Sequence, residues 1–188
     1  MSDLLSGIGA AGEAFDPVGE VRPPPACMDP GRPVLAVASA ARTVSPMPVA
    51  QALVAAMAAE GHAPVALIAT RARGRSDVGV LRDGPLVEAG AERVLRVVLQ
   101  PEDAAAMLER AWAALPPDRP LVATGNDVPA LYHLRLGLMV TGGLPPFAWA
   151  PSARAVADRM DAEVVEPRAG FVQALIARLA AAGALHPG

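Results

Sequence analysis

The chain has 188 residues, enough for one domain with its own hydrophobic core. Because 53% of the residues are hydrophobic and 19% are charged, the composition excludes a disordered chain. All 16 basic residues are arginines. Since lysine is absent, the protein cannot use a lysine to hold phosphate, to form a Schiff base or to act as a general base.

The charge and the single cysteine narrow the range of partners and compartments. A net charge of -3 gives no basic surplus for nucleic acid or an anionic membrane surface, so we expect neither as a partner. Cys27 is the only cysteine, which excludes an internal disulfide and favours a reducing cytoplasmic location. The uncharged stretches are interrupted by proline and glycine pairs, and no membrane span is predicted. We therefore expect a cytoplasmic protein.

Residues 1–32 are rich in proline, and residues 33–188 have a different pattern. The first region includes Pro23, Pro24 and Pro25, which no helix or central strand could contain. It is predicted to be an extended arm that precedes a single domain. No periodic repeat is present in either region.

The second region alternates short apolar runs with longer amphipathic stretches. Strands are predicted over residues 34–38, 64–70, 93–99, 121–124, 138–141 and 162–165. Helices are predicted over residues 45–60, 101–115, 128–134, 152–160 and 170–182. Near-continuous apolar strands separated by helices indicate an α/β fold with a mainly parallel sheet of about six strands and helices on both faces. The prediction is a P-loop-like or Rossmann-like three-layer sandwich.

Ligands bind such sheets at the carboxyl ends of the strands, so the polar residues that follow the strands are the candidate ligand-binding residues. Arginine suits bidentate recognition of carboxylate or phosphate. An arginine cluster is more often a solvated loop, and Asp127 is more often the N-cap of the helix that follows it. The candidate residues are Arg42, Ser45, Arg71, Arg73, Arg75, Asp83, Asn126 and Asp127.

An uncharged loop with two large aromatic residues follows the fifth predicted strand, at residues 141–151. Apolar surface loops often mark a contact with a protein partner, but such a loop can also fold back over the core. The candidate partner-binding residues are Pro23, Pro24 and Pro25 in the arm and Leu144, Phe147 and Trp149 in the loop.

The first part of the domain resembles a P-loop protein. The run PVLAVASAARTVSPMPVAQALVAAMAAEGHAPVALIAT has the order strand, loop, long helix, Gly-His turn and strand. The run RDGPLVEAGAERVLRVVL that follows resembles the molybdopterin-guanine dinucleotide biosynthesis protein B family, with Asp83 and the turn Ala89-Gly90-Ala91 at matching positions. The resemblance covers about residues 33–100. It implies a P-loop fold and a role in molybdenum or tungsten enzyme maturation.

The motif that binds phosphate in P-loop proteins, G-x-x-x-x-G-K-[ST], is lost from this chain. Ala40 and Ser45 replace the two glycines, Pro46 replaces the lysine and Met47 replaces the magnesium-binding hydroxyl. With Ser45 as N-cap, Pro46 and Pro48 would remove two of the free N–H donors of the helix. We therefore expect no catalytic residue, no resident cofactor and no metal site.

Two functional hypotheses follow. The first is a non-hydrolysing accessory or structural subunit that binds a protein partner, in a hetero-complex or a homo-oligomer, within molybdenum or tungsten enzyme maturation or an oxidoreductase complex. The second is an enzyme that binds a nucleotide or a pterin-like anion at the arginine-rich edge of the sheet.

Overall fold

The structure is a computed structural model that describes residues 28–165 together with residues 174, 177 and 181. The strands are β1 (Val34–Ser39), β2 (Val65–Arg71), β3 (Asp77–Leu81), β4 (Arg93–Leu99), β5 (Leu121–Thr124), β6 (Leu136–Val140) and β7 (Ala162–Val164). The α-helices are α1 (Met47–Ala59), α2 (Pro85–Glu88), α3 (Ala104–Ala113), α4 (Asp127–Leu131) and α5 (Pro151–Arg154). Short 3₁₀ turns cover Pro146–Ala148 and Ala157–Arg159.

The strands form one sheet of seven strands in the order β3-β4-β2-β5-β1-β6-β7. Every neighbouring pair is parallel except β3 and β4, which are antiparallel. The prediction of an α/β fold with a mainly parallel sheet is therefore confirmed. Numbered among themselves in chain order, the parallel strands run 3-2-4-1-5-6, which differs from the Rossmann order 3-2-1-4-5-6.

Strand β3 lies between Arg75 and Asp83, in a stretch for which the sequence predicts no strand. Asp77 lies beside Val98 and Leu81 lies beside Val94, so β3 runs back along β4 to the amino edge of the sheet. The strand therefore carries Asp83 to the edge opposite the one that holds Arg71. The alternating valines of the strand were the available signal, since alternation is typical of a half-buried strand.

Alternate residues of β1 belong to two separate hydrophobic clusters, as the two faces of a buried strand require. Leu35 and Val37 share one cluster with the buried residues of α1 and with Leu86 of α2. Val34 and Ala36 share the other with Leu108 of α3 and residues of α4. A third, smaller cluster lies beneath the loop that follows β6.

Two predicted helices differ from what the structure describes. The helix predicted over residues 152–160 is divided into α5 and the turn Ala157–Arg159. Most of the helix predicted over residues 170–182 lies outside the described residues, although residues 174, 177 and 181 are helical. Within the part of the chain that the structure describes, no helix combines the length and apolar composition needed to cross a bilayer.

The last residues of the predicted arm pack against the domain. Met28 pairs with Tyr132, and its N–H donates to the carbonyl of Leu131 at 2.8 Å. The indole N–H of Trp112 donates to the carbonyl of Pro30 at 3.1 Å. Pro23, Pro24 and Pro25 lie outside the described residues.

Candidate functional site

The candidate site is a cleft at the carboxyl ends of β2, β5 and β1. β1 and β5 are neighbours, and the helices that follow them, α1 and α4, pack on opposite faces of the sheet. Such a reversal opens a crevice in which α/β proteins bind ligands. The cleft has a volume of about 530 Å³, and its polar lining residues are Ser39, Arg42, Ser45, Thr70, Arg71, Thr124, Asn126, Asp127 and Ser152.

Asn126 connects the ends of β1 and β5 through its side-chain amide. The N–H of Ser39 donates to Oδ1 of Asn126 at 3.0 Å, and Nδ2 of Asn126 donates to the carbonyl of Ser39 at 3.1 Å. The same Nδ2 also donates to Oγ of Ser152 at 3.1 Å. Because both amide hydrogens are used within the protein, Asn126 supports the cleft and has no donor left for a ligand.

Arg71 and Asp127 form an ion pair at the side of the cleft. Nε of Arg71 lies 3.0 Å from each carboxylate oxygen of Asp127, and Nη2 of Arg71 also donates to Oδ1. The hydrogen bond to Asp127 raises the pKa of Arg71, because it favours the charged guanidinium. The Asp127 side chain is nearly buried, whereas that of Arg71 is half exposed. Arg71 can therefore still present its outer nitrogen atoms to an anion in the cleft.

This pair overturns the N-cap prediction for Asp127. Asn126 is the N-cap residue of α4, and no side-chain capping bond is formed. The physical reason is the register of the sheet: Ile68 of β2 lies beside Thr124 of β5. Three residues after each of these positions, Arg71 comes beside Asp127. The charged guanidinium competes successfully with backbone N–H groups for the carboxylate.

The backbone of Ala40, the first residue of the loop between β1 and α1, is bonded within the protein. Ala40, at the position of the first P-loop glycine, donates its N–H to the carbonyl of Val140 at 2.9 Å. Its carbonyl accepts from the N–H of Ala150 at 2.7 Å, and the residue is fully buried. A P-loop needs backbone N–H groups that curl around the anion, and the N–H of Ala40 is already used in a bond to Val140.

Helix α1 begins one residue later than the sequence predicts. Pro46, not Ser45, is the N-cap, and Pro48 stands at the second helical position. Oγ of Ser45 accepts from the N–H of Met47 at 3.3 Å, as a serine does in a local turn. Positions 46–48 thus offer a single N–H, which Ser45 already accepts. Arg42 is exposed on the same loop and lines the cleft, so it can reach a ligand there.

Three other predicted ligand residues lie outside the cleft. Arg73 and Arg75 are exposed on the turn between β2 and β3, and neither lines the cleft. This turn is held by Asp103, whose Oδ1 accepts from Oγ of Ser76 at 2.8 Å. Asp83 lies at the opposite edge of the sheet, as described above. Of the predicted ligand residues, the structure therefore brings together those at positions 42, 45, 71, 126 and 127.

The loop after β6 is partly core and partly surface. Trp149 is only 6% exposed and belongs to the hydrophobic cluster beneath the loop, so its prediction as a partner-binding residue is wrong. Its indole N–H donates to the carbonyl of Leu144 at 2.8 Å, and Leu144 packs against the same cluster. Phe147, by contrast, is 82% exposed. Burial of the larger aromatic ring anchors the loop and leaves Phe147 at the surface.

Exposed apolar residues flank Phe147 along the chain. Pro145, Pro146 and Ala148 are all exposed on the same short stretch. Val165 is 52% exposed and lies close to Gly143 at the start of the loop. We call Pro145–Ala148 together with Val165 the Phe147 patch.

A second cavity, of about 550 Å³, lies at the amino ends of β1 and β5. Its wall includes a stack in which the Arg32 guanidinium lies 5.7 Å from the Trp112 ring centroid, and the Trp112 and Tyr132 rings lie 4.3 Å apart. Burial, followed by the charge of Glu109, raises the pKa of Tyr132 to about 12. The first cleft is the better candidate, because it lies at the topological switch point and its polar groups converge.

Sequence reasoning missed three hydroxyl residues in the cleft: Thr70, Thr124 and Ser152. Thr70 and Thr124 stand at the ends of predicted strands, and this position was a usable signal. The sequence gives no sign that Ser152 lines the cleft. Ser152 belongs to α5, and its hydroxyl accepts a hydrogen bond from Asn126. Among the described residues, no three His, Cys, Asp or Glu side chains gather closely enough to hold a metal ion.

Comparisons with protein-family models, with curated proteins and with solved structures find no match for this chain.

Proposed function

We propose that the chain is a non-hydrolysing accessory or structural subunit with a P-loop-like, three-layer scaffold, and that it binds a protein partner through the Phe147 patch. The resemblance to the molybdopterin-guanine dinucleotide biosynthesis protein B family suggests a partner in molybdenum or tungsten enzyme maturation or in an oxidoreductase complex. The observation that carries the proposal is the exposed Phe147 on an anchored loop.

The anchoring matters because a held loop presents its side chains with little loss of entropy on binding. Trp149 fixes the loop from below, and Nη1 of Arg154 donates to the carbonyl of Phe147 at 3.2 Å from the side. Four consecutive exposed apolar residues in one fixed stretch form a larger target than a single surface side chain. Aromatic residues are enriched at the centres of protein interfaces, where they contribute much of the binding energy.

The loss of phosphate chemistry supports a binding role over a hydrolytic one. The backbone of Ala40 is bonded to β6 and to Ala150, and prolines occupy the N-cap and the second position of α1. Arg42 is the one basic side chain on this loop and is exposed. The bonded backbone of Ala40 and the prolines at the start of α1 stand where a P-loop has the groups that hold a triphosphate and its magnesium ion.

We predict that Phe147→Glu removes a stoichiometric partner that copurifies with the tagged wild-type chain from its native extract. The added charge would have to be buried at an apolar contact, and we expect at least a tenfold loss of recovered partner, or about 1.4 kcal/mol. Quantitative mass spectrometry of the two purifications measures the loss. Pro117→Glu, a change at an exposed residue on the opposite edge, is the matched control and should leave recovery unchanged. Equal recovery with both variants, or no partner with the wild type, would contradict the proposal.

The cleft favours a second candidate function, in which the protein binds a nucleotide or a pterin-like anion. The specific observation is that Arg42 and Arg71 line one cavity of about 530 Å³ together with several hydroxyl groups. Asp127 neutralises much of the charge of Arg71, so Arg42 would supply most of the attraction for the anion.

Thermal unfolding with ATP, GTP or a molybdopterin nucleotide tests this second function. A ligand present at about 100 times its Kd adds about 2.7 kcal/mol to the free energy of unfolding, or roughly 5–10 °C in Tm for a domain of this size. Arg42→Glu should abolish the shift, whereas Arg73→Glu, outside the cleft, should preserve it. The absence of a shift with all three ligands would exclude this function for these compounds.

A further inference from the structure

Within the part of the chain that the structure describes, strand β3 forms one edge of the sheet and pairs only with β4. Edge strands present backbone N–H and C=O groups that can pair with another strand. The N–H of Val78 donates to the carboxylate of Asp77 at 2.8 Å, a local bond that strand pairing could replace. Val80, on the same strand, is 51% exposed although it is apolar. Both features fit a strand that another strand covers.

We propose that β3 pairs in antiparallel fashion with β3 of a second copy of the chain, about a two-fold axis at Gly79. The pairing would join the two sheets into one continuous sheet across the dimer. In this register Val78 opposes Val80 of the second copy, and Arg75 opposes Asp83 of the second copy. Symmetry repeats each pair, as in any isologous interface. The interface thus combines two apolar pairs with two pairs of opposite charge.

Charge complementarity identifies a second copy as the partner and also selects the register. An axis shifted by one residue toward the carboxyl end would place Asp77 opposite Asp83, and like charges directly opposite each other destabilise a sheet. An axis shifted by one residue the other way would place Arg75 opposite Leu81 and lose the ion pairs. A strand that carries arginine before it and aspartate after it is complementary to itself only in antiparallel pairing.

Two further features fit the same register. Arg82 would oppose Ser76 of the second copy, whose hydroxyl donates to the carboxylate of Asp103 at 2.8 Å. Arg82 would therefore approach a carboxylate that is already fixed in position. At the axis the two Gly79 residues would face each other, and neither has a side chain that could obstruct the pairing.

Analytical ultracentrifugation of the full chain over a range of concentrations tests the proposal by a charge reversal and its rescue. The wild type should show a concentration-dependent dimer. Arg75→Glu alone and Asp83→Arg alone should each weaken the dimer roughly tenfold or more, because two attractive pairs become repulsive. The double variant Arg75→Glu/Asp83→Arg restores the pairs with the charges exchanged, and it should return the dissociation constant to near the wild-type value.

Arg73→Glu is the matched control, because it makes the same charge change on the same turn at a position without a charged residue opposite. It should leave the dimer unchanged. Val80→Pro removes a backbone donor at the exposed edge and should dissociate the dimer, while circular dichroism shows whether the fold is kept. The rescue by the double variant does not depend on how well Val80→Pro folds.

The proposal is overturned if the wild type is monomeric throughout the concentration range. It is equally overturned if a dimer forms but neither the single charge reversals nor their combination alter its dissociation constant. The Phe147 patch is separate from β3, so Phe147→Glu should leave the dimer intact. Failure of the dimer proposal and failure of the partner proposal are therefore distinguishable.

Discussion

Asn126 joins the ends of β1 and β5 through its side-chain amide. Its amide accepts from and donates to the backbone of Ser39, so it mimics a strand that continues past the end of β5. A third bond to Ser152 connects α5 to the same point. One side chain thus fixes the floor of the cleft, and its chemistry explains why the position requires both a donor and an acceptor.

We predict that Asn126→Ala lowers the free energy of unfolding by about 2 kcal/mol, because it leaves backbone groups of Ser39 without partners. Asn126→Asp should cost at least as much, since a carboxylate oxygen would then face the carbonyl of Ser39. Ser152→Ala, which removes only the third bond, should cost about 0.5–1.5 kcal/mol. Urea unfolding of the four proteins measures these differences. If Asn126→Ala proved as stable as the wild type, Asn126 would not support the cleft.

Asp127 shows the limit of residue-level prediction from sequence. An aspartate before a short helix is often an N-cap, although Asn126, which precedes it, is an equally favourable N-cap residue. Its partner, Arg71, is 56 residues distant in the chain and comes near only through the pairing of β2 with β5. The sequence therefore identified both residues as candidates but could not indicate that they pair.

At the scale of elements, apolar runs predicted all six parallel strands. Buried strands such as β1 are apolar on both faces, which makes the signal strong. β3 was missed because it is short, half exposed and interrupted by Gly79, so its alternation was hidden among polar and charged neighbours. Among the described strands, β3 has the weakest sequence signal, and its position at one border of the sheet leaves it half exposed.

The loop after β6 shows how one element divides its residues between core and surface. Leu144, Phe147 and Trp149 are all large and apolar, so composition alone does not separate them. The cluster formed by Ala38, Met139 and their neighbours accommodates Trp149 and part of Leu144. Phe147 lies on a 3₁₀ turn between them that directs it outward. The backbone path decides which of the three can meet a partner.

At the scale of the whole molecule, the composition makes the titration of Tyr132 easy to follow. The chain contains one tyrosine and no lysine. Tyr132 is 4% exposed, and no described residue accepts a hydrogen bond from its hydroxyl. Burial raises its pKa to about 12 in the folded protein, compared with about 10 in an unfolded chain.

We predict that the free energy of unfolding falls as the pH rises from about 10 to about 12, because the unfolded tyrosine loses its proton before the folded one does. The stabilisation is complete below about pH 10 and is lost as the pH passes through the folded pKa. Urea unfolding at a series of alkaline pH values measures the decrease. Tyr132→Phe should weaken this dependence, and its stability at neutral pH should lie within about 1 kcal/mol of the wild type. An identical alkaline decrease in the variant would show that other groups cause it.

The sequence by itself determined the fold class, the parallel strands and the absence of a G-x-x-x-x-G-K-[ST] motif, because each depends on which residue types occur along a short stretch of chain. Tertiary structure alone decided that Arg71 pairs with Asp127, that Asp83 lies at the far edge, and that Trp149 is buried while Phe147 is exposed. These outcomes depend on the register and order of strands. The physical reason is that hydrophobic patterning specifies which face of an element is buried, whereas only the assembled sheet specifies which strand ends become neighbours.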